Sequence, residues 1–274
     1  MTRVQQLLPP PGGEVTLDGL YLDREASVLQ PTAPNAPAQI YANFMTSLDG
    51  RIAVGADEAS SHVPPEMASR VDWRLFQQLQ AHADGLITHG GYLRALAAGR
   101  LGNILQIADR ELLAWREARG LTQQPALVVA SASLNFEIPA SIARFGQRLV
   151  VVTTRDGPLA RVSRLRALGI DVRVTGGTGH VGADALAAVL AELGCKCVYL
   201  QAGPAVLEDM LRTGRLARLY LTLNMQVVGG EAFHTLMHGA PMADSGRLSL
   251  ASLYYAPPEG ARPGQLFAAL TPHP

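Results

Sequence analysis

The run LQAGPAVLEDMLRTG, residues 200–214, ends an apolar, aromatic strand on a glycine and a proline, a combination able to bind an anion. Gly203 lets a ligand approach the backbone. Pro204 suits the first helical position, where its missing N–H is not needed. The N–H groups that follow, at the positive end of a helix, favour a phosphate. An ordinary tight strand-to-helix turn uses the same residues, so this motif alone leaves both readings open. Two more glycine turns, THGGYL at 88–93 and TGGTGHVGAD at 175–184, follow other strand-like runs. Neither is a GxGxxG after the first strand with an acid about 20 residues on, so the dinucleotide fingerprint of doubly wound folds is absent. Turns that follow parallel strands can still converge at one sheet edge. Asp49, in FMTSLDGRIA with Thr46 and Ser47, places a carboxylate and two hydroxyls where a polar heterocycle or sugar could be oriented, though Asp-Gly is equally a common turn. The seven histidines form no HExxH, and no GxSxG or P-loop is present, so zinc hydrolysis, serine hydrolysis and Walker-type chemistry have no support.

The elements that must position these residues follow from hydrophobic period. IYANFMTS at 40–47 reads as a strand, LDGR as a turn and IAVG as a short return. Val71, Leu75, Phe76 and Leu79 recur at helical spacing within 66–83, leaving Arg70, Arg74 and Gln78 to face water. The helix delivers the strand and turn ADGLITHGG. Alternation continues with helices near 109–117, 159–168, 182–193 and 204–213 and strands at 126–131, 148–154, 171–176, 195–201 and 218–228. A final strand pair lies near 247–255 and 265–271. This pattern predicts an α/β fold with a central, mostly parallel sheet, helices on both faces and an antiparallel C-terminal edge. Residues 9–13 (PPPGG) and 31–38 (PTAPNAPA) disfavour regular structure, so 1–39 reads as an N-terminal arm and 40–274 as one domain.

Lys+Arg and Asp+Glu balance at 23 each, which gives no field to attract nucleic acid. With 48% hydrophobic residues the chain can bury a large core. The only cysteines, Cys195 and Cys197, would share one face of an extended strand and read as buried core thiols, as suits a reducing cytosol. No h-region or run of about 18 apolar residues marks export or insertion, so a cytoplasmic location is expected.

In order and spacing, YANFMTSLDGRIA, the helix into ADGLITHGG, and VYLQAGPAVLEDMLRTGRLARLYLTLNMQVVGGE resemble the reductase family of riboflavin biosynthesis over about residues 40–231. The resemblance implies a dihydrofolate-reductase-like, three-layer fold. It also implies hydride transfer from NADPH to the ribosyl group of a pyrimidine intermediate, or to a related pterin-like heterocycle, by a homodimer. By the same resemblance Asp49 is the catalytic candidate, and Asn43, Thr46, Ser47 and Gln201 would contact substrate. Thr88, Gly90, Gly91, Thr153, Gly176, Ala202, Gly203, Pro204, Ala205 and Val206 would line the NADPH groove. Arg155 is a candidate for the 2′-phosphate because a guanidinium fork matches phosphate geometry; a solvated arginine is the alternative. Two departures stand out. Gln201 and Ala202 replace the family's Glu and first Gly, removing a charged acceptor, and YLRALAAGRLGN replaces its Asp-Pro loop. They motivate a second reading, a non-catalytic NADP(H)- or nucleotide-binding protein that keeps the fold.

Overall fold

The computed structural model describes residues 2–24, 29, 33, 36–56 and 61–273, so half of the proline-rich run at 31–38 lies outside the described residues. In chain order the strands are β1 (Arg3–Leu8), β2 (Gly13–Thr16), β3 (Gln39–Ser47), β4 (Ala53–Val54), β5 (Gly85–His89), β6 (Ala126–Ala130) and β7 (Leu149–Thr154). They continue with β8 (Asp171–Thr175), β9 (Cys197–Leu200), β10 (Leu216–Asn224), β11 (Phe233–His234), β12 (Leu248–Ala256) and β13 (Gln265–Pro272). The α-helices are α1 (Arg70–His82), α2 (Gly90–Ala97), α3 (Arg110–Glu117), α4 (Ala140–Arg144), α5 (Leu159–Ala167), α6 (Ala183–Glu192) and α7 (Pro204–Arg212).

Among the described residues eleven strands form one sheet in the order β2-β1-β12-β13-β10-β3-β9-β5-β6-β7-β8. From β10 to β8 every pairing is parallel, and from β13 to β2 every pairing is antiparallel. The central parallel strands are covered on both sides, so they read as continuous apolar runs such as LVVV in β7. Tyr41, Leu86, Val129, Val151 and Tyr199 pack on one side with Leu75 and Leu79 of α1, Leu93 of α2 and Val162 of α5. Ile40, Ile87, Val128, Val150 and Leu200 pack on the other with Leu186 of α6 and Leu207 and Met210 of α7. These are the three layers that the alternation predicts.

The N-terminal segment differs from its expectation as an irregular arm. β1 pairs with β12 and β2 with β1, so residues 3–16 extend the antiparallel side of the sheet. RVQQLL hides this because only Val4 and Gln6 are buried, a short alternation with one polar member. Leu17, Leu20 and Tyr21 then pack on α1, and Gln78, expected in water, is fully buried. It accepts from the Tyr21 N–H at 2.8 Å and donates to the Leu17 carbonyl at 2.8 Å, which satisfies the amide out of solvent. Both cysteines are buried and free. They do not share a face, because β9 begins only at Cys197, and Cys195 lies in the opposite core cluster.

Candidate functional site

All seven parallel strands end at the same edge, and most of the candidate residues collect there. β9 runs out at Leu200, and α7 starts one residue after Gly203. Gly203 has φ −72°, so its backbone does not require glycine. An added Cβ would meet only His89 Nε2, at 4.0 Å, which leaves room for a ligand rather than for a packed neighbour. No side chain caps α7; Pro204 has no N–H and the Val206 and Leu207 N–H groups bond to the Gly203 carbonyl, so the Ala205 N–H is the one left at the positive helix end among these bonds. Beside it lies a 240 Å³ cleft lined by His89, Ala130, Ser131, Ala132, Gly179, His180, Val181, Ala205, Val206 and Asp209. Larger surface hollows lie elsewhere, one of 770 Å³ between α2 and α5, away from the α7 start. Ala202 is buried and Pro204 half-buried, so they shape the cleft's base from beneath.

The other two glycine turns are built for packing. Gly90 and Gly91 are not a turn but the first residues of α2, which starts directly from β5. A Cβ on Gly90 would lie 2.8 Å from Ser131 Oγ, and one on Gly91 2.8 Å from His89 Nδ1, so these glycines let the helix sit close to its neighbours. In the third turn Asp156 accepts the Gly179 N–H with both oxygens, at 3.3 and 3.0 Å, and Arg155 N–H bonds to the Gly177 carbonyl. Thr154 first, and then the Gly179 N–H, hold the Asp156 carboxyl below the usual range. Asp209 caps α6 at the Ala183 N–H, so that helix start is already satisfied. Gly176 faces open space, the Arg155 side chain is exposed, and Thr153 is fully buried, tying β7 to the Ala132 carbonyl. Thr153 therefore lies beneath the groove and does not line it.

At the end of β3 the Asp49 carboxylate is fully engaged. Ser47 Oγ donates to it at 2.5 Å, the Val228 and Gly229 N–H groups at 3.1 and 2.8 Å, and Arg51 pairs with it at 2.7 Å. The Ser47 hydroxyl, foremost among these bonds, holds its carboxyl well below the usual range. Arg51 lies over the Phe233 ring at 4.2 Å and reaches the Gly230 carbonyl. Asp49, the candidate at the reacting centre, also clamps the turn after β3 to the turn after β10. Ser47 shares that task through the Arg51 N–H, and Thr46 is buried on the opposite face, its hydroxyl on the Ser47 carbonyl.

The face of the sheet under α1 carries the other polar candidates. Asn43 bonds to the Tyr199 hydroxyl. Thr88 Oγ1 donates to the Gln201 carbonyl at 3.3 Å, and the Gln201 N–H reaches the Ile87 carbonyl at 2.8 Å. The Gln201 backbone is thus fixed, yet both polar atoms of its side chain are shielded from water and unpartnered. Asn224 Oδ1, two residues beyond Thr222 on β10, is in the same condition. Buried amide atoms without partners are uncommon, and a water or a ligand completes such pairings. Two residues escaped the sequence reading. Ser131 follows β6 at the cleft, where the rule that ligands gather beyond strand C-termini would have found it. Asp72 sits with Leu75, Phe76 and Leu79 at positions i, i+3, i+4 and i+7, an acid on an apolar stripe.

Residues 38–258 match the family model of the RibD C-terminal domain. No curated protein sequence matches the chain. Among solved structures, a pyrimidine reductase-like protein from Corynebacterium diphtheriae is 19% identical, with TM-score 0.68 over 95% of this chain and 100% of that one. RibD of Acinetobacter baumannii is 17% identical, with TM-score 0.61 over 87% of this chain but 59% of its own. The riboflavin biosynthesis reductase Rib7 of Saccharomyces is 15% identical, with TM-score 0.53 over 91% of this chain and 99% of that one. At these identities the likeness is one of fold.

Proposed function

Because the chain belongs to the RibD C-terminal domain family, and so is a reductase of the riboflavin-biosynthesis type, we propose that it binds NADPH along the ends of β5, β6 and β9 and reduces a small heterocyclic substrate. The observation that carries this reading is the uncapped start of α7 beside the space at Gly203. NADPH, when bound, supplies the hydride, delivered to the ribosyl group of a pyrimidine or to a related pterin-like ring. The Ala205 N–H and the helix dipole would hold its phosphates, with Val206 lining the cleft beside them, and Arg155, exposed beyond β7, would meet the 2′-phosphate. On the α1 face, Gln201 and Asn43 would position the substrate ring. Asp49 acts as a positioning residue through the turn it clamps.

Balanced charge supports a small-molecule partner without nucleic acid, and among the described residues no helix is long and apolar enough to cross a membrane. A cytoplasmic homodimer fits this reading, with the exposed Leu7 and Leu250 on β1 and β12 offering apolar surface for a second copy.

Titration with NADPH and NADH, followed by cofactor fluorescence, tests the reading alongside a Gly203→Asp variant. We expect NADPH-preferring binding that the variant weakens roughly 100-fold, since a carboxylate against phosphate costs several kcal/mol. Failure of the wild-type protein to bind either cofactor at millimolar concentration would sink the proposal. NADPH binding without oxidation by any pyrimidine or pterin would instead favour a cofactor-binding protein that has lost turnover.

A further inference from the structure

The cofactor and substrate readings leave the hollow between α2 and α5 unused. Its 770 Å³ falls within the range of small-molecule sites. Three arginines line it, Arg94 of α2 and Arg161 and Arg164 of α5, against one acid, Glu137. Phe136, Ile138, Leu165 and Leu168 supply apolar lining. Leu168, at the C-cap of α5, is 64% exposed, so apolar surface is open there for a ligand to bury. A solvated helix face commonly mixes charges, as α3 does with Arg110, Glu111, Arg116 and Glu117; α5 carries Arg161, Arg164 and Arg166 and no acid. Arg161 and Arg164 stand three residues apart on that helix, where like charges repel, and an anion held by both relieves the repulsion.

The loop that follows β6 places these groups. Arg94 Nη1 donates to the Asn135 carbonyl at 3.3 Å and Arg161 Nη1 to the Ser133 carbonyl at 2.9 Å, so guanidiniums from two helices are tied to one short turn. That bond uses one of the five N–H groups of Arg161. Among the described residues Arg161 has no carboxylate partner, and the Arg164 guanidinium makes no hydrogen bond or ion pair. Between the two anchoring carbonyls, Leu134 is 4% exposed and has φ +50°, the left-handed region that a leucine rarely enters. Its N–H is held by Ser131 Oγ at 3.0 Å. Such strain persists only where surrounding contacts over-determine it, and it collects at ligand clamps. The turn is thus fixed in shape, with two carbonyls on arginines and Phe136 and Ile138 along the hollow.

We propose that this hollow is a second ligand site, separate from the cofactor cleft, for an aromatic phosphomonoester. The phosphate is held by Arg161 and Arg164, with Arg94 on the facing helix. Guanidinium forks match phosphate oxygens in pairs, and a dianion with three acceptor oxygens engages more than one fork, which a single carboxylate does less well. The ring lies against Phe136, Leu165 and Leu168, where aromatic and aliphatic contacts and a guanidinium face reward a flat body. The residues lining this hollow and those lining the cleft beside α7 share no member, although Ser131 and Ala132 of the same loop border the cleft. The site therefore stands independently of the reductase reading.

Calorimetric titration of the full chain with 1-naphthyl phosphate, and with 1-naphthol and inorganic phosphate as controls, tests the site with and without NADPH. Wild type should bind the ester about tenfold or more tightly than either control, and equally well with NADPH present. Arg161→Glu and Arg164→Glu should each weaken the ester about tenfold or more, as a reversed charge beside a phosphate predicts, and Leu168→Ser a few fold. Arg3→Glu makes the same charge change on β1, toward the other end of the sheet, and should leave affinity within about twofold. Arg164 and Leu168 are exposed, so their variants should melt within about 2 °C of wild type, which separates lost binding from lost folding. No binding of the ester at millimolar concentration, equal binding of 1-naphthol, displacement by NADPH, or an equal loss in Arg3→Glu would each overturn the proposal. Absence of NADPH binding alone would sink the reductase reading and leave this one decided by the titrations without cofactor.

Discussion

At the edge where the parallel strands begin, Asp84 accepts the Lys196 and Cys197 N–H groups at 2.7 and 3.1 Å, and Gln124 closes on both backbone groups of Ile107 at 2.8 Å. Gln147 donates to the Leu105 and Pro125 carbonyls at 3.0 Å, and fully buried Arg116 bonds to the carbonyls of Ala81, Ala83 and Thr122. At the edge where the same strands end, Gln201 has both side-chain atoms unpaired, Asp72 has a hydroxyl but no counter-charge, and α7 has no cap. One edge spends its polar groups on holding loops. The other is mixed, with Asp49 fully bonded in its turn and the Gln201 amide unpartnered, and since Arg116 Nη2 and two Arg218 nitrogens are unpartnered at the first edge the difference is one of degree.

Breaking the scaffold edge should cost stability and leave binding intact. Arg116→Met strands three carbonyls that the guanidinium now satisfies, and we expect a loss of about 3 kcal/mol or more in urea denaturation, with NADPH affinity unchanged in the fraction still folded. Gln147→Ala removes two carbonyl contacts and should cost about 1–2 kcal/mol by the same assay. A cofactor-binding defect larger than the stability loss in either variant would blur the division.

Asp49 lies wholly at the edge where the strands end, and it sharpens the comparison through pH. Its carboxyl is depressed in the folded state, so the contribution is present above the ordinary carboxylate range and is lost as pH falls toward the lowered value. Melting curves of wild type and Asp49→Asn should differ by a small, constant interval at neutral pH and converge progressively below about pH 4. An interval that stays constant to pH 3 would show that the carboxylate's charge is not what holds the turn.

The central strands were legible because strands covered on both faces must be apolar throughout, as VYL in β9 and LVVV in β7 are. β1 was not, since Val4 and Gln6 acquire their burial only from β12 and from Leu17 and Tyr21 around them. α2 was hidden by Gly90 and Gly91, which in isolation signal a turn but here permit close helix packing. The site was legible where one residue type forces a role, as Gly203 and Pro204 do at a helix start. It was illegible where role depends on tertiary partners. No local pattern shows that Asp49 meets the Val228 and Gly229 N–H groups, or that Asp72 meets Thr222 of β10.

The pairing of β1 with β12 joins Gln5 to Tyr255, residues near opposite ends of the described chain. On a ribosome the first of these emerges long before the second exists. The parallel strands from β5 to β9 can associate while synthesis continues, but β1 has no neighbour on that side until β12 is made. Such distant contacts also slow folding from the denatured state. The N-terminal hairpin is thus the last piece of the sheet to be sealed, and until then its unpaired backbone is the segment most open to a protease or a chaperone.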